Sequence, residues 1–484
     1  MSNSSGGPSY RKHTSRIRHL DAARAAQLVK LFARPVIVNE QGAAYDSSDP
    51  VTRAAQGWLT LDRAASHDPA GPTVVGHYST HLYLHEVIRM PLSVAWELSQ
   101  HRGHLYLDKL EDITDSVAEE LAKHLGGGLS LNNLRSLSVP AAQSLGRHAG
   151  ELSLNRLSSL GEEQALGLAH HTNELYLWGI KQLSAVAAAG LSQHRGDLML
   201  DGLVSLSGRI AAHLAYHRGR LHLHAIAGLS DAVAEAFGRR EGFLCLKHLE
   251  TLTASHARLL ATHKGPLFLG NVELDDSAAE FLGQHEGSLS LTVQDDISIP
   301  GLEAILQHAG PLTLAGLETI DERRAHALAN QPTRQGIAGL SALFLDSVEE
   351  MCPRIAGILA MHRAGGLSLK GLWELTEDTA QELVRHPMLC LDGVGSISDD
   401  VAKILGRYEG ATLSLKGLRT VSTSSLSKLR DNPAIELPRR FYKTDTLGTD
   451  RSSTAPVEAP RPDKLETIRI IQQIARHGEQ MLKK

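Results

Sequence analysis

Residues 152–174 read LSLNRLSSLGEEQALGLAHHTNE, and this stretch decides the fold. Leu152 and Leu154 alternate with polar neighbours, the period of a short strand with one face inward. Leu157 and Leu160 turn inward through a loop. Ala165 and Leu168, three apart, form the apolar stripe of a two-turn helix. The same order recurs with an opening L-x-L at Leu105, Leu129, Leu152, Leu175, Leu198, Leu221, Leu244, Leu267, Leu289 and Leu312. A near-constant period of about 23 residues marks a solenoid, whose units bury their cores only against neighbours.

Upstream, Leu59 and Leu82 continue the phase, although Asp68 to Pro72 sits where the helix of the Leu59 unit should start. Downstream, the phase is interrupted near 330–342. It resumes at Leu343, Leu367, Leu389 and Leu413 and ends near Leu437. Nine residues after the opening Leu stands a Ser, Thr or Asp: Thr114, Ser138, Ser184, Ser207, Ser230, Thr253, Ser298, Asp321, Thr376, Ser398 and Ser422. Such side chains accept orphan N–H bonds at a helix N-terminus, worth ~1 kcal/mol each. Four residues on comes a small residue, usually Ala, which lets the helix approach the strand closely. His and Gly close the unit. The Gly is expected to end the helix in the left-handed conformation.

This unit resembles a leucine-rich repeat of the short bacterial type. The residues that carry the resemblance are the L-x-L strand, the inward-turning loop positions and the helix Ala. The Asn that such repeats place after L-x-L-x-x is Leu here, as at Leu134, Leu157 and Leu203. The resemblance implies an α/β repeat solenoid: a curved array with a parallel β-sheet on its concave side and short helices on its convex side. It also implies protein–protein recognition and carries no catalytic residue.

Composition bounds the rest. The 484 residues have a formal net charge of −5. Residues 1–57 and 438–484 are each net +4, so the repeat body between them carries −13. That acidity disfavours nucleic acid on the body. Three cysteines, Cys245, Cys352 and Cys390, have neither disulfide-framework nor zinc-module spacing. No apolar run is long enough to span a membrane, and a cytoplasmic setting is expected. The organisation read from the sequence is a disordered N-terminus at 1–15 and a helical cap at 16–58. The solenoid follows at 59–437, then a Ser/Thr/Pro-rich linker at 438–462 and an amphipathic helix at 463–484.

Two features carry candidate function. Eleven histidines share the late position of the unit, from His101, His124 and His148 to His362 and His386, with Arg240 and Tyr408 in equivalent slots. All can donate a hydrogen bond to an orphan helix carbonyl, and Arg is not a normal metal ligand, so the row is read as structural. The residue between the two strand leucines, and the one after them, face outward. The expected partner-binding surface is therefore Tyr106, Asn132, Asn155, Tyr176, Trp178, Met199, Asp201, His222, His224, Lys247 and Phe268. Phe344 is expected to continue the row downstream. Aromatics on an open sheet supply the desolvatable area that binding hot spots need. The expectation is a non-catalytic scaffold without cofactor or metal that binds a protein partner on this face. Two alternatives stand beside it: a structural spacer whose basic C-terminal helix binds the partner, and a metal- or thiol-dependent site at His222, His224 and Cys245.

Overall fold

The computed structural model describes residues 20–26, 81–332 and 341–442. The expected N-terminal disorder, most of the cap, the Leu59 unit, most of the linker and the C-terminal helix lie outside them. Within the cap, residues 22–26 are helical, and Asp21 Oδ1 accepts the Arg24 N–H at 2.7 Å. The chain divides into two compact units, Met1–Leu291 and Thr292–Lys484.

In the first unit the strands run in sequence order, all parallel: Leu82–Tyr83, Leu105–Tyr106, Leu129–Ser130, Leu152–Ser153, Leu175–Tyr176, Leu198–Met199, Leu221–His222, Leu244–Leu246 and Leu267–Asn271. Each opening leucine pairs with the next, as Leu152 with Leu175 and Leu175 with Leu198. Helices of seven or eight residues alternate with the strands, from Leu92–Ser99 to Asp276–Gly283. Between strand and helix the core is leucine: Leu105, Leu107 and Leu110 are completely buried. Each such side chain contributes about 1.5–3 kcal/mol. The helix alanines, Ala118, Ala142, Ala165, Ala188 and Ala211 among them, are completely buried too, at the closest approach of helix to sheet. The loop adds a small parallel pair, Thr251–Leu252 with Glu273–Leu274.

Of the eleven expected N-caps, ten accept a backbone N–H as foreseen, for example Ser184 from Ala187 at 3.0 Å. Ser230 does not. There the Val233 N–H goes to the Ser230 backbone carbonyl at 2.9 Å, leaving the hydroxyl no donor to serve. Asp275, eight rather than nine residues after its opening leucine, caps Ala278 in the shorter unit.

The glycines that close the units are not left-handed as expected. Among the described residues only Gly316 has positive φ. Their requirement is space. A Cβ on Gly150 would lie 1.9 Å from the Gly127 carbonyl oxygen, and one on Gly219 would lie 1.9 Å from that of Gly196. Successive turns stack backbone on backbone, and only glycine fits there.

The second unit repeats the plan. Leu312–Ala315, Ser341–Phe344, Gly365–Ser368, Met388–Cys390, Thr412–Ser414 and Ile435–Glu436 form a parallel array in sequence order. The phase resumes after the interruption with an offset. Leu343 pairs with Leu314 rather than with Leu312, and Phe344 pairs with Ala315 rather than with Thr313. A slip of two residues keeps every side chain on its face, whereas a slip of one would reverse them all.

Candidate functional site on the sheet face

The residues between the strand leucines form one row across the first unit. Register pairs Tyr83 with Tyr106, Tyr106 with Ser130, Ser130 with Ser153, Ser153 with Tyr176, Tyr176 with Met199, Met199 with His222, His222 with Cys245 and Cys245 with Phe268. Tyr83 and Tyr106 stack at 4.6 Å between ring centroids. Tyr176 and Trp178 meet edge to face at 5.9 Å, and Tyr176 Oη donates to Glu174 at 2.7 Å. Burial and that carboxylate push the Tyr176 phenol up. Trp178 is 47% exposed, whereas Tyr106, Tyr176, Met199 and Phe268 are half-buried.

The residues after the second leucine have a further task. Asn132 Oδ1 accepts the Asn155 N–H at 3.1 Å, and Asn155 Oδ1 accepts the Trp178 N–H at 3.1 Å. Asp201 Oδ1 accepts the His224 N–H at 3.3 Å. In the second unit Asp346 and Asp392 do the same for Lys370 and Lys416, at 3.0 and 2.8 Å. An Asn/Asp ladder therefore exists, two residues ahead of the position where such repeats keep it and where this chain has Leu134 or Leu157. Sequence reading assigned Asn132, Asn155 and Asp201 to a partner; their oxygens also hold the next repeat.

His222, His224 and Cys245 converge. Each offers a ligand atom within 4.8 Å of the others. His222 Nδ1 lies 3.4 Å from His224 Nε2, and His224 Nδ1 lies 3.3 Å from Asp201 Oδ2. Burial lowers the His222 imidazole to about 3 and the His224 imidazole to about 4, helped by His224 and then Arg220 on the first and by Lys247 on the second. Burial also raises Asp201 to about 6 and pushes the Cys245 thiol well up. Cys245 is only 4% exposed. A thiol kept protonated and covered is a poor nucleophile, so the geometry weighs against the thiol-dependent alternative.

Within each unit, several side chains of the late-position row reach a backbone carbonyl one repeat back. His171 Nδ1 lies 3.0 Å from the His148 carbonyl oxygen, one repeat back. Arg240 donates to the equivalent carbonyl of His217 and, at 3.2 Å, to that of Leu214. Tyr408 Oη donates to the His386 carbonyl at 3.0 Å. Two members escaped sequence reading. Asn432 Nδ2 donates to the Tyr408 carbonyl at 2.8 Å, and Gln331 Oε1 meets His362 Nε2 at 3.0 Å. Counting one repeat on from His308 and from Tyr408 would have found both. His171, Arg240, Tyr408 and Asn432 thus serve one carbonyl position with four different side chains, and donation is what these four slots share. The rings are buried, with His101, His124, His194 and His217 each 1% exposed. Burial lowers His124, His171 and His386 to about 3, and His194, His217, His263 and His362 to about 4.

Among the described residues no helix is long and apolar enough to cross a membrane. No family model matches the chain, and no curated relative matches it either. Among solved structures, a leucine-rich-repeat protein of Leptospira interrogans is 16% identical, with 72% of this chain and 93% of that chain covered and a TM-score of 0.38. Toll of Drosophila, solved in complex with Spatzle, is 13% identical over 69% of this chain and 50% of that one, with a TM-score of 0.38. An internalin of Listeria monocytogenes is 14% identical over 71% of this chain and 88% of that one, with a TM-score of 0.32. The leucine-lined parallel strands, the inward-turning loops and the short returning helices make this chain an α/β repeat solenoid whose units are similar to leucine-rich repeats.

Proposed function

We propose that the protein is a non-catalytic scaffold that receives a protein partner on the sheet face centred on Tyr176, Trp178 and Met199. The observation that carries this reading is Trp178, 47% exposed and held edge to face by Tyr176. A large rigid ring in that setting loses little entropy on binding and offers much area to desolvate. Its backbone N–H is pinned by Asn155, so the ring is presented on a fixed frame.

The test is affinity capture with the full chain, the Tyr176→Ala/Trp178→Ala double variant, and Trp96→Ala as control. Trp96 is 54% exposed but sits on the helix Leu92–Ser99, away from the sheet face. Partners lost with the double variant and kept with the control are expected. An unchanged partner set in the double variant would move the binding site elsewhere. Loss on deleting residues 438–484, with the double variant silent, would favour the spacer reading instead.

A further inference from the structure

We propose that His222, His224 and Cys245 form a zinc(II) site on the sheet face of the first unit, with Asp201 as the group that orients His224. The site goes beyond the scaffold reading and needs no protein partner.

Three observations converge on it. The first is placement. His222 and Cys245 are register partners on adjacent strands, and His224 is two residues along the same chain as His222, so all three side chains leave the same face. The second is distance. Zinc–nitrogen bonds of about 2.0–2.1 Å at tetrahedral angles put two ligand nitrogens roughly 3.3 Å apart. The His222 Nδ1 to His224 Nε2 separation is 3.4 Å, and the Cys245 ligand atom is within 4.8 Å of both. The pair is spaced for an ion between them, and only the sulfur has to close in.

The third observation is the surrounding shell. Asp201 Oδ2 lies 3.3 Å from His224 Nδ1. A carboxylate accepting from Nδ1 fixes the tautomer that leaves Nε2 with its lone pair toward the site, the usual outer arrangement of zinc-bound histidine. The Asp201 carboxylate also holds the His224 backbone N–H, which locks the strand that carries the ligands. Charge is compatible as well. On binding, the thiol proton leaves, and thiolate and Asp201 together balance the dication. Of the nearby cations, Arg220 is turned onto the Phe243 ring at 5.4 Å and toward Asp197 at 4.0 Å, and Lys247 lies in the turn just after the strand of Cys245, where its charge favours the ionised forms of Asp201 and Cys245. His222 is 5% exposed, and the nitrogen it turns toward His224 is Nδ1. Three protein ligands leave a fourth position for water.

Cobalt(II) titration of the full chain tests this, in a Cys352→Ser/Cys390→Ser background that removes the other two thiols. Thiolate-to-cobalt charge transfer and tetrahedral visible bands saturating at one equivalent, and bleached by zinc, are expected. Cys245→Ser should abolish the charge-transfer band, and Asp201→Asn should weaken affinity by about 10–100-fold. Should Cys245→Ser fail to fold, His224→Gln, at a partly exposed position, replaces it and should weaken cobalt binding at least tenfold. Absence of the bands at one equivalent, or bands that survive these variants unchanged, overturns the proposal. Binding that is octahedral and insensitive to Cys245 would assign the metal to the other histidines and also overturns it.

Discussion

Acidification should loosen this solenoid from within, and the size of the effect follows from the ladder histidines. Their neutral rings sit in the turns, with seven lowered to about 3 or 4 by burial against an ordinary 6.5. The sign is fixed by which state holds more protons. Between pH 6.5 and the folded value, the unfolded ring is charged while the folded ring is neutral. Stability is therefore full above 6.5, falls as pH drops below it, and stops falling once the folded rings protonate near 3 to 4. At pH 5 the gap from 6.5 is 1.5 pH units, or about 2 kcal/mol per ring. A repeat array is stabilised unit by unit, so the loss is spread over the repeats that carry a ring. Seven rings together lose on the order of 10 kcal/mol, comparable with the whole stability of an ordinary domain. Circular-dichroism melts at pH 8, 6.5 and 5 and constant ionic strength read this directly, with melting expected to fall at each step. His171→Gln, which places at one slot the residue type found at 331, should recover about 2 kcal/mol of the loss between pH 8 and pH 5. Equal or higher melting at pH 5, or no change in pH response with His171→Gln, would refute the reasoning.

Other expectations follow from single contacts. Ser184→Ala removes a cap and should cost ~1 kcal/mol, whereas Ser230→Ala should cost less than about 0.5 kcal/mol because that hydroxyl caps nothing; paired urea melts would show the contrast. Gly219→Ala drives a Cβ into the Gly196 carbonyl, where no flexible side chain can yield, and should destabilise by about 1–3 kcal/mol in the same assay. Arg240→Met keeps the bulk but removes the donor that serves the His217 and Gly219 carbonyls, and should cost at least about 1–3 kcal/mol, with faster hydrogen exchange in that turn.

Most of the architecture was legible because its causes are periodic. The strand leucines, helix alanines and cap residues recur at fixed offsets, and each is fixed by a local requirement that one unit states completely. What escaped depends on the neighbouring unit. The turn glycines looked like helix stops, but the Gly196 carbonyl one repeat away dictates the glycine at 219. The Asn/Asp ladder stood in plain sight at Asn132 and Asn155, yet its acceptors act on a backbone N–H in the next repeat, which no single unit reveals. Gln331 and Asn432 were hidden for another reason: the row was followed through histidine, Arg240 and Tyr408, and neither amide side chain was counted with them, although Asn432 donates to the Tyr408 carbonyl and Gln331 Oε1 meets His362 Nε2. The two-residue offset at Leu343 was invisible because a shift of two leaves the inward and outward pattern unchanged. At the sheet face, residue types were readable. The convergence of His222, His224 and Cys245 with Asp201 required the register of three strands.

The interruption before Ser341 has a practical corollary. Gln331 follows His308 by one ordinary repeat, whereas His362 comes 31 positions after Gln331, yet the Gln331–His362 contact closes at 3.0 Å across that longer span. The second unit thus accommodates additional chain between Gln331 and His362, with the strands Leu312–Ala315, Ser341–Phe344 and Gly365–Ser368 still paired in order. Added length between two ladder residues is therefore compatible with continued pairing, whereas one residue added inside a strand would turn its inward leucines to the other face.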